Sequence, residues 1–155
     1  MVLPDYFFIK ILNVFEYTDT SSLHIGIFPI YIIFIWVIPL FIIIYAAELI
    51  SEKYKKIWIR NLFLIIASTY MFTYIEGTTW EFPAWYYHNV KQYANLAAYT
   101  ILSNIFLGII VYYGYKFCEN KSLFYKILTA FVTVLINSGV LLFSYFIIEK
   151  TGIFF

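Results

Sequence analysis

Long apolar runs separated by short charged segments dominate the chain. Four of these runs reach the roughly 20 residues that a helix needs to cross a bilayer core about 30 Å thick. They cover residues 27–49, 57–75, 96–117 and 124–148. None of them alternates polar and apolar residues as a barrel strand does, and lipid offers no partner to an open strand edge. The pattern predicts an all-α membrane protein, a four-helix transmembrane bundle forming a single domain over residues 1–155.

Ahead of the first run, residues 4–16 place apolar side chains at helical spacing. Pro4 suits the first position of a helix, where its missing N–H costs little. The segment is therefore predicted to form a short helix, and two placements fit it equally well: flat in the membrane surface, or packed on the bundle. The side chains that share its apolar face are Phe7, Phe8, Ile11, Leu12 and Phe15.

Composition supports lipid as the main solvent. Hydrophobic residues make up 63% of the chain and charged residues 12%, whereas a soluble domain carries about 25% charged residues. The net charge of +1 argues against a nucleic-acid partner, which requires a clustered basic face. Cys118 is the single cysteine, so an internal disulfide is excluded. The predicted partner is the lipid bilayer.

The basic residues predict an orientation. Seven of the ten Lys and Arg residues flank the first and third connections between the apolar runs, and three lie on the other side. Positive charge marks the cytoplasmic side. Both termini and the connection at residues 76–89 are therefore expected outside a cell membrane, most simply the plasma membrane of a prokaryote. The seven are Lys53, Lys55, Lys56, Arg60, Lys116, Lys121 and Lys126.

Two asparagines fall near the middle of the third and fourth runs. Asn104 shares a helix face with Gly108, and Asn137 is followed by Ser138. An amide in the membrane interior needs a hydrogen-bond partner. We expect either an interhelical bond between Asn104 and Asn137 or a bond from each to a backbone carbonyl. Small-residue faces of this kind also suit a homo-oligomer or a larger membrane complex.

Candidate chemistry concentrates in residues 76–89. Glu76, Glu81 and His88 lie there, and Asp19 is expected on the same side of the membrane. A carboxyl group partly desolvated among aromatic rings holds its proton more tightly and can act as an acid near neutral pH. These four residues are the candidate catalytic groups.

Aromatic side chains beside them can stabilise a carbocation through their π faces. The candidate substrate-binding residues are Trp36, near the bend that Pro39 introduces in the first run, together with Trp80, Trp85, Tyr86 and His24. The alternative is an aromatic belt at headgroup depth with solvated carboxylates. A metal site built from His24, His88, Glu76 and Glu81 is a further alternative, but these residues do not have the spacing of a known metal-binding motif. We predict neither a metal nor a cofactor.

Tyr17, Thr18 and Asp19 precede an apolar run that has Pro29 near its start and contains Trp36. These segments resemble the membrane-bound carotenoid biosynthesis family of the carotenoid hydratase type. In that family a Tyr-Thr-Asp element precedes a helix that starts with proline and contains a tryptophan. The resemblance implies acid-catalysed addition of water to, or cyclisation at, an isoprenoid double bond, with Asp19, Glu76 or Glu81 as proton donor. Family members are larger and have more than four spans. The matching residues are 15–19, 28–33, Trp36, Glu76, Trp80 and Asn104.

Two classes of function remain open from the sequence. One is acid–base chemistry on an apolar isoprenoid or carotenoid-like lipid at the outer interface, by a hydratase, cyclase or isomerase. The other is a non-catalytic subunit or scaffold of a membrane complex, because the apolar runs hold no ionisable residue at their centres. Walker loops and nucleophile elbows are absent from the sequence, which disfavours nucleotide-driven and serine-hydrolase chemistry.

Overall fold

The protein is mostly helical, as predicted. The computed structural model describes residues 2–18, 23–78, 85–93 and 95–151. The final helix continues as a π-helical segment, Phe146–Thr151. The α-helices in the described part of the chain are α1 (Val2–Lys10), α2 (Tyr31–Tyr54), α3 (Ile57–Thr78), α4 (Ala98–Cys118) and α5 (Leu123–Tyr145).

Among the residues that the structure describes, three segments are long and apolar enough to cross a membrane: Ile35–Tyr54, Ala98–Cys118 and Leu123–Thr151. The second predicted span, residues 57–75, corresponds to α3 in position but is not among these three. Its sequence explains the difference, because polar side chains recur along the 22 residues of α3. Helix α3 packs against both α2 and α4. Polar side chains on this packed side, such as Ser68 and Glu76, are therefore buried against protein.

Helices α2 and α3 form a tight hairpin. Lys55 adopts a left-handed backbone conformation with φ 52°, and its N–H donates to the carbonyl of Ser51, which ends α2. Only residues 55–56 separate the two helices. The start of the first predicted run is not helical: Pro29 lies in a short strand, and α2 begins two residues later.

The amino-terminal helix is shorter than the predicted 4–16. Helix α1 ends at Lys10, and Asn13 takes a positive φ of 49°, which asparagine tolerates better than most residues. The chain then becomes a strand at Phe15. Helix α1 packs on the bundle, the second of its two expected placements: Phe8 is buried and stacks on Tyr99 of α4 with ring centroids 5.0 Å apart.

Within the described ranges, six short strands form three antiparallel pairs at the ends of the helices. Strand β1 pairs with β4, β2 with β3, and β5 with β6. The first pair matters most for the site because it joins the amino-terminal segment to the connection between α3 and α4. The strands are β1 (Phe15–Tyr17), β2 (His24–Ile25), β3 (Phe28–Pro29), β4 (Trp85–Tyr87), β5 (Gln92–Tyr93) and β6 (Leu96–Ala97).

Helices α3 and α4 approach closely at Gly108. A Cβ atom at this position would lie 2.7 Å from the carbonyl oxygen of Leu64 and 2.9 Å from the side chain of Ser68. One turn away, Ser68 Oγ donates a 2.8 Å hydrogen bond to the carbonyl oxygen of Asn104. Because Gly108 has no side chain, α3 and α4 come close enough for this interhelical hydrogen bond to form.

Charged side chains gather at the end of the bundle away from the β1–β4 pair. Lys116 forms ion pairs with Glu48 at 3.2 Å and with Glu119 at 2.8 Å. Arg60 donates a 2.9 Å hydrogen bond to Tyr113 Oη and lies over the ring of Tyr112 at 4.8 Å. These contacts join α2, α3 and α4 at the predicted cytoplasmic end.

Candidate functional site

Aromatic side chains of the β1–β4 pair cover one end of the bundle. Phe15 lies opposite Tyr87, and Tyr17 lies opposite Trp85. Side chains alternate between the two faces of a strand, so these four rings share one face and point toward the helices. The middle pair, Glu16 and Tyr86, is exposed on the other face.

Helix α1 places the carboxyl group of Asp5 beside these aromatic rings. Tyr17 Oη donates a 2.7 Å hydrogen bond to Asp5 Oδ2, which ties α1 to β1. Burial raises the pKa of Asp5 from 3.8 to about 6, although the hydrogen bond from Tyr17 acts in the opposite direction. Asp5 therefore remains ionised at neutral pH and titrates just below it.

A second carboxyl group enters from α3. Glu76 belongs to the last turns of this helix, not to the following loop as predicted, and is 4% exposed. Thr100 Oγ1 lies 2.7 Å from Glu76 Oε2 and 2.9 Å from the carbonyl oxygen of Ala97. A hydroxyl has one proton to donate. Thr100 is the donor to both oxygens, so its proton is shared between them in a three-centre hydrogen bond.

Together these groups surround a small inner chamber of about 50 Å³. Its wall combines the two carboxyl groups with polar side chains of α4 and α5, and aromatic rings close it. The lining residues are Pro4, Asp5, Phe8, Phe15, Tyr17, Trp36, Glu76, Trp85, Tyr87, Tyr99, Thr100, Ser103, Asn104, Leu107, Asn137 and Leu141.

An apolar cleft of about 260 Å³ adjoins the chamber. Helix α2 contributes one wall through Trp36, Val37 and Leu40, α5 contributes the facing wall, and α4 lies between them. Val37 is 54% exposed, so the cleft reaches the outer surface of the bundle. The chamber and the cleft share Asp5, Trp36, Leu107 and Asn137, so the two cavities adjoin at these four side chains.

The two tyrosines of the β1–β4 pair that face the helices, Tyr17 and Tyr87, keep their protons. Burial raises the pKa of Tyr17 far above its usual value of 10, and the charge of Asp5 adds to the effect. Burial likewise raises the pKa of Tyr87, and Glu76 contributes next. Both phenols therefore stay neutral hydrogen-bonding groups across the physiological range.

Three of the residues singled out from the sequence meet at this site: Glu76, Trp36 and Trp85 line the chamber. Trp85 is 5% exposed, which distinguishes it from an interfacial belt residue. Trp36 stacks on Phe72 with ring centroids 4.9 Å apart and borders both the chamber and the cleft.

The other candidates lie elsewhere. Tyr86 is 49% exposed on the opposite face of β4, because strand alternation turns it away from its neighbours Trp85 and Tyr87. His24 is exposed on β2, and His88 follows β4 with its backbone N–H bonded to the carbonyl of Val14. Neither histidine lines the chamber or the cleft. Asp19, Trp80 and Glu81 lie outside the described residues.

Sequence reasoning missed Asp5, Tyr17 and Tyr87 as site residues. Asp5 is not part of the apolar face of the predicted amino-terminal helix, and packing of α1 on the bundle brings it into the lining of the chamber. The signal available for the tyrosines was alternation, in Phe15–Tyr17 and again in Trp85–Tyr87, which predicts two strands each with one aromatic face.

The hydrogen bond expected between Asn104 and Asn137 stays a prediction. Both side chains are buried and line the chamber. Asn104 lies beside the carboxyl group of Glu76. Within the described ranges, no group of three or more His, Cys, Asp and Glu side chains is arranged to hold a metal ion.

Comparison with known proteins yields one match. The model of a family described as a domain of unknown function, DUF6989, matches residues 2–148. The matched range includes every residue of the chamber and the cleft. No curated protein and no solved structure matches the chain.

Proposed function

The chain belongs to the DUF6989 family, which carries no assigned function, and we propose from the site itself that the protein is a membrane enzyme performing acid–base chemistry on an apolar, isoprenoid-like lipid. The observation that carries this proposal is the position of Glu76, a buried carboxyl group in an aromatic chamber at the end of an apolar cleft. Large apolar pockets with a few convergent polar groups are the usual form of a small-molecule site.

Substrate access follows from the cleft. Its walls on α2 and α5 are almost entirely apolar, and Ile35–Tyr54 and Leu123–Thr151 are both long enough to span a membrane. A lipid can therefore enter sideways from the bilayer, between these two helices, without crossing water. The chain of the lipid lies in the cleft, and its reacting end reaches the chamber.

Glu76 acts as the acid. In this proposal its carboxyl group carries the proton, and the Thr100 hydroxyl, which also reaches the carbonyl of Ala97, holds the group in place. Transfer of this proton to a carbon–carbon double bond leaves a carbocation on the lipid. The faces of Trp36 and Trp85 stabilise positive charge at that point.

Asp5 accepts the proton that the reaction releases. The carbocation is captured either by water or by another double bond of the same lipid, and each route ends with loss of one proton. The pKa of Asp5 is raised to about 6 because the group is buried, so it is an ionised base at neutral pH. Two carboxyl groups in unlike environments commonly divide the roles of acid and base in this way. No electron is gained or lost overall.

We assign the finer topology from packing and charge. Helix α3 would be a fourth span, because it is antiparallel to α2 across two residues and lies against two helices that can cross the bilayer. The basic connections would face the cytoplasm. The chamber would then lie near the outer leaflet of the cell membrane, at the end where β1 pairs with β4.

A lipid profile tests the proposal. Host cells supplied with a carotenoid pathway would express the wild-type protein, Glu76→Gln or Glu52→Gln, and extracts would be compared by mass spectrometry. Glu52 is an exposed carboxylate at the other end of the bundle and serves as the matched control. We expect a hydrated or cyclised isoprenoid with wild type and Glu52→Gln only. Equal product from Glu76→Gln would exclude Glu76 as the acid, and the absence of product from folded wild type would favour a non-catalytic subunit.

A further inference from the structure

Two buried hydrogen-bond donors in the chamber lack partners. Trp85 Nε1 and Asn104 Nδ2 are both shielded from solvent and have no hydrogen-bond partner among the described residues. Trp85 is 5% exposed and Asn104 is 4% exposed. They come from different elements, β4 and α4, and both line the same chamber.

Unpartnered donors at this depth are unfavourable. A buried N–H that gives up water without finding an acceptor loses the full free energy of its hydration, so most native proteins satisfy such groups. The nearest acceptors are the carboxyl group of Glu76, beside Asn104, and the phenol oxygen of Tyr87, beside Trp85, and neither forms a hydrogen bond of ordinary geometry with its donor. The hydroxyl group of Ser68 donates to the backbone carbonyl of Asn104, not to its side-chain amide. The indole N–H of Trp85 can only donate, so it needs an acceptor.

The size of the chamber limits what can satisfy both donors. About 50 Å³ is room for one or two groups the size of a water molecule, which occupies about 30 Å³ in the liquid. The adjoining cleft is about five times larger and apolar. This division fits a ligand with one small polar end and a long hydrocarbon body.

We propose that the chamber is a head-group site for a lipid that ends in an oxygen acceptor, a hydroxyl, carbonyl or ether oxygen, held by Trp85 Nε1 and Asn104 Nδ2. This inference rests on the proposed function, since it identifies the substrate class of the same site. The oxygen fixes the position of the chain end, and with it the double bond nearest to Glu76. An isoprenoid without an oxygen leaves both donors unsatisfied and binds more weakly.

Binding to the purified protein in nanodiscs tests the inference. The probes are tritiated geranylgeraniol and the hydrocarbon that lacks only its hydroxyl group, each measured with wild type, Asn104→Leu and Trp85→Phe. Leucine has the branching of asparagine, and phenylalanine keeps an aromatic face, so both variants remove donors. Binding of the hydrocarbon reports the effect of the changed side-chain volume, and the ratio of the two affinities reports the lost donor. Trp58→Phe is the matched control, because Trp58 is 64% exposed on α3.

We expect wild type and Trp58→Phe to bind the alcohol about tenfold more tightly than the hydrocarbon, because one satisfied buried donor already changes affinity to that extent. Asn104→Leu and Trp85→Phe should each lose most of this preference while binding the hydrocarbon as wild type does. Equal binding of both probes by wild type would overturn the head-group site but leave lipid binding intact. A preference that survives both substitutions would show that water alone satisfies the donors. Failure of wild type to bind either probe would overturn this inference and the proposed function together.

Discussion

Thr100 Oγ1 lies 2.7 Å from Glu76 Oε2 and joins α4 to α3. The contact sits one turn from the helix crossing at Asn104 and Ser68, so the acid is fixed where α3 and α4 approach closely. A carboxyl group held by one hydroxyl and surrounded by aromatic rings keeps its position relative to a ligand in the chamber.

Removing this contact should destabilise the protein. In Thr100→Val the shape is retained but Glu76 loses its hydrogen bond from Thr100, and loss of a buried hydrogen bond to a carboxyl group costs about 1–3 kcal/mol. The thermal midpoint in detergent should fall by several degrees, since 1 kcal/mol corresponds to about 2–4 °C in a protein of this size. Thr78→Val should change it little, because the Thr78 hydroxyl bonds carbonyls of its own helix. Equal midpoints for the two variants would contradict a structural role for Thr100.

Asp5 should make stability depend on pH. Burial raises its folded-state pKa to about 6 from 3.8, so the folded protein binds a proton that the unfolded chain has already released between these values. The free energy of unfolding must therefore fall as pH rises from about 4 to 6. The fall is up to about 3 kcal/mol, since a pKa difference of one between the folded and unfolded states corresponds to about 1.4 kcal/mol.

The check is the thermal midpoint measured from pH 4 to pH 6.5. Asp5→Asn, which can still accept from Tyr17, should be flatter than wild type over this range, and Glu16→Gln should keep the wild-type slope because Glu16 is exposed on the other face of β1. A slope that survives Asp5→Asn would assign the titration to another group.

Close packing at Gly108 should tolerate no side chain. Gly108→Ala would bring a methyl group against the Leu64 carbonyl oxygen at 2.7 Å, and overpacking of this kind costs about 1–3 kcal/mol. Gly139→Ala, where a Cβ would meet nothing within 4 Å, should be neutral or stabilising because alanine favours helix. The comparison of thermal midpoints checks both, and a stable Gly108→Ala would contradict the close approach of α3 and α4.

Orientation can be measured by thiol labelling. In a Cys118→Ser background, Glu16→Cys should react with a membrane-impermeant maleimide on intact cells, and Lys121→Cys should react only after permeabilisation. The reason is that Glu16 lies on the β1–β4 pair and Lys121 in the basic connection between α4 and α5. Labelling of both positions from the same side would contradict four spans.

Much of the fold was predictable because lipid imposes a simple rule on sequence. Apolar length gave α2, α4 and α5 to within a few residues, since a helix in hydrocarbon must satisfy its own backbone. Asn13 was harder, because its left-handed conformation ends the amino-terminal helical segment and depends on the pairing of β1 with a strand about 70 residues away. Long-range pairing of three-residue strands leaves almost no local pattern.

The site was predictable only in part for a related reason. Glu76, Trp36 and Trp85 stand out by residue type in an apolar chain. The direction of Asp5 is set by packing of Phe8 against Tyr99, a contact between residues 91 positions apart that sequence periodicity does not reveal. Tyr86 faces away from the chamber because residues 85–87 form a strand, and strand alternation decides which tyrosine faces the chamber.

Proton delivery by Glu76 is the central claim, and isotope transfer tests it most directly. Purified wild type, Glu76→Gln and Glu52→Gln in nanodiscs would be incubated with lycopene or geranylgeraniol in deuterated water, and the lipid analysed by mass spectrometry. The account predicts one carbon-bound deuterium per product molecule with wild type and Glu52→Gln, and none with Glu76→Gln. No deuterium with wild type, or equal incorporation with Glu76→Gln, would contradict it.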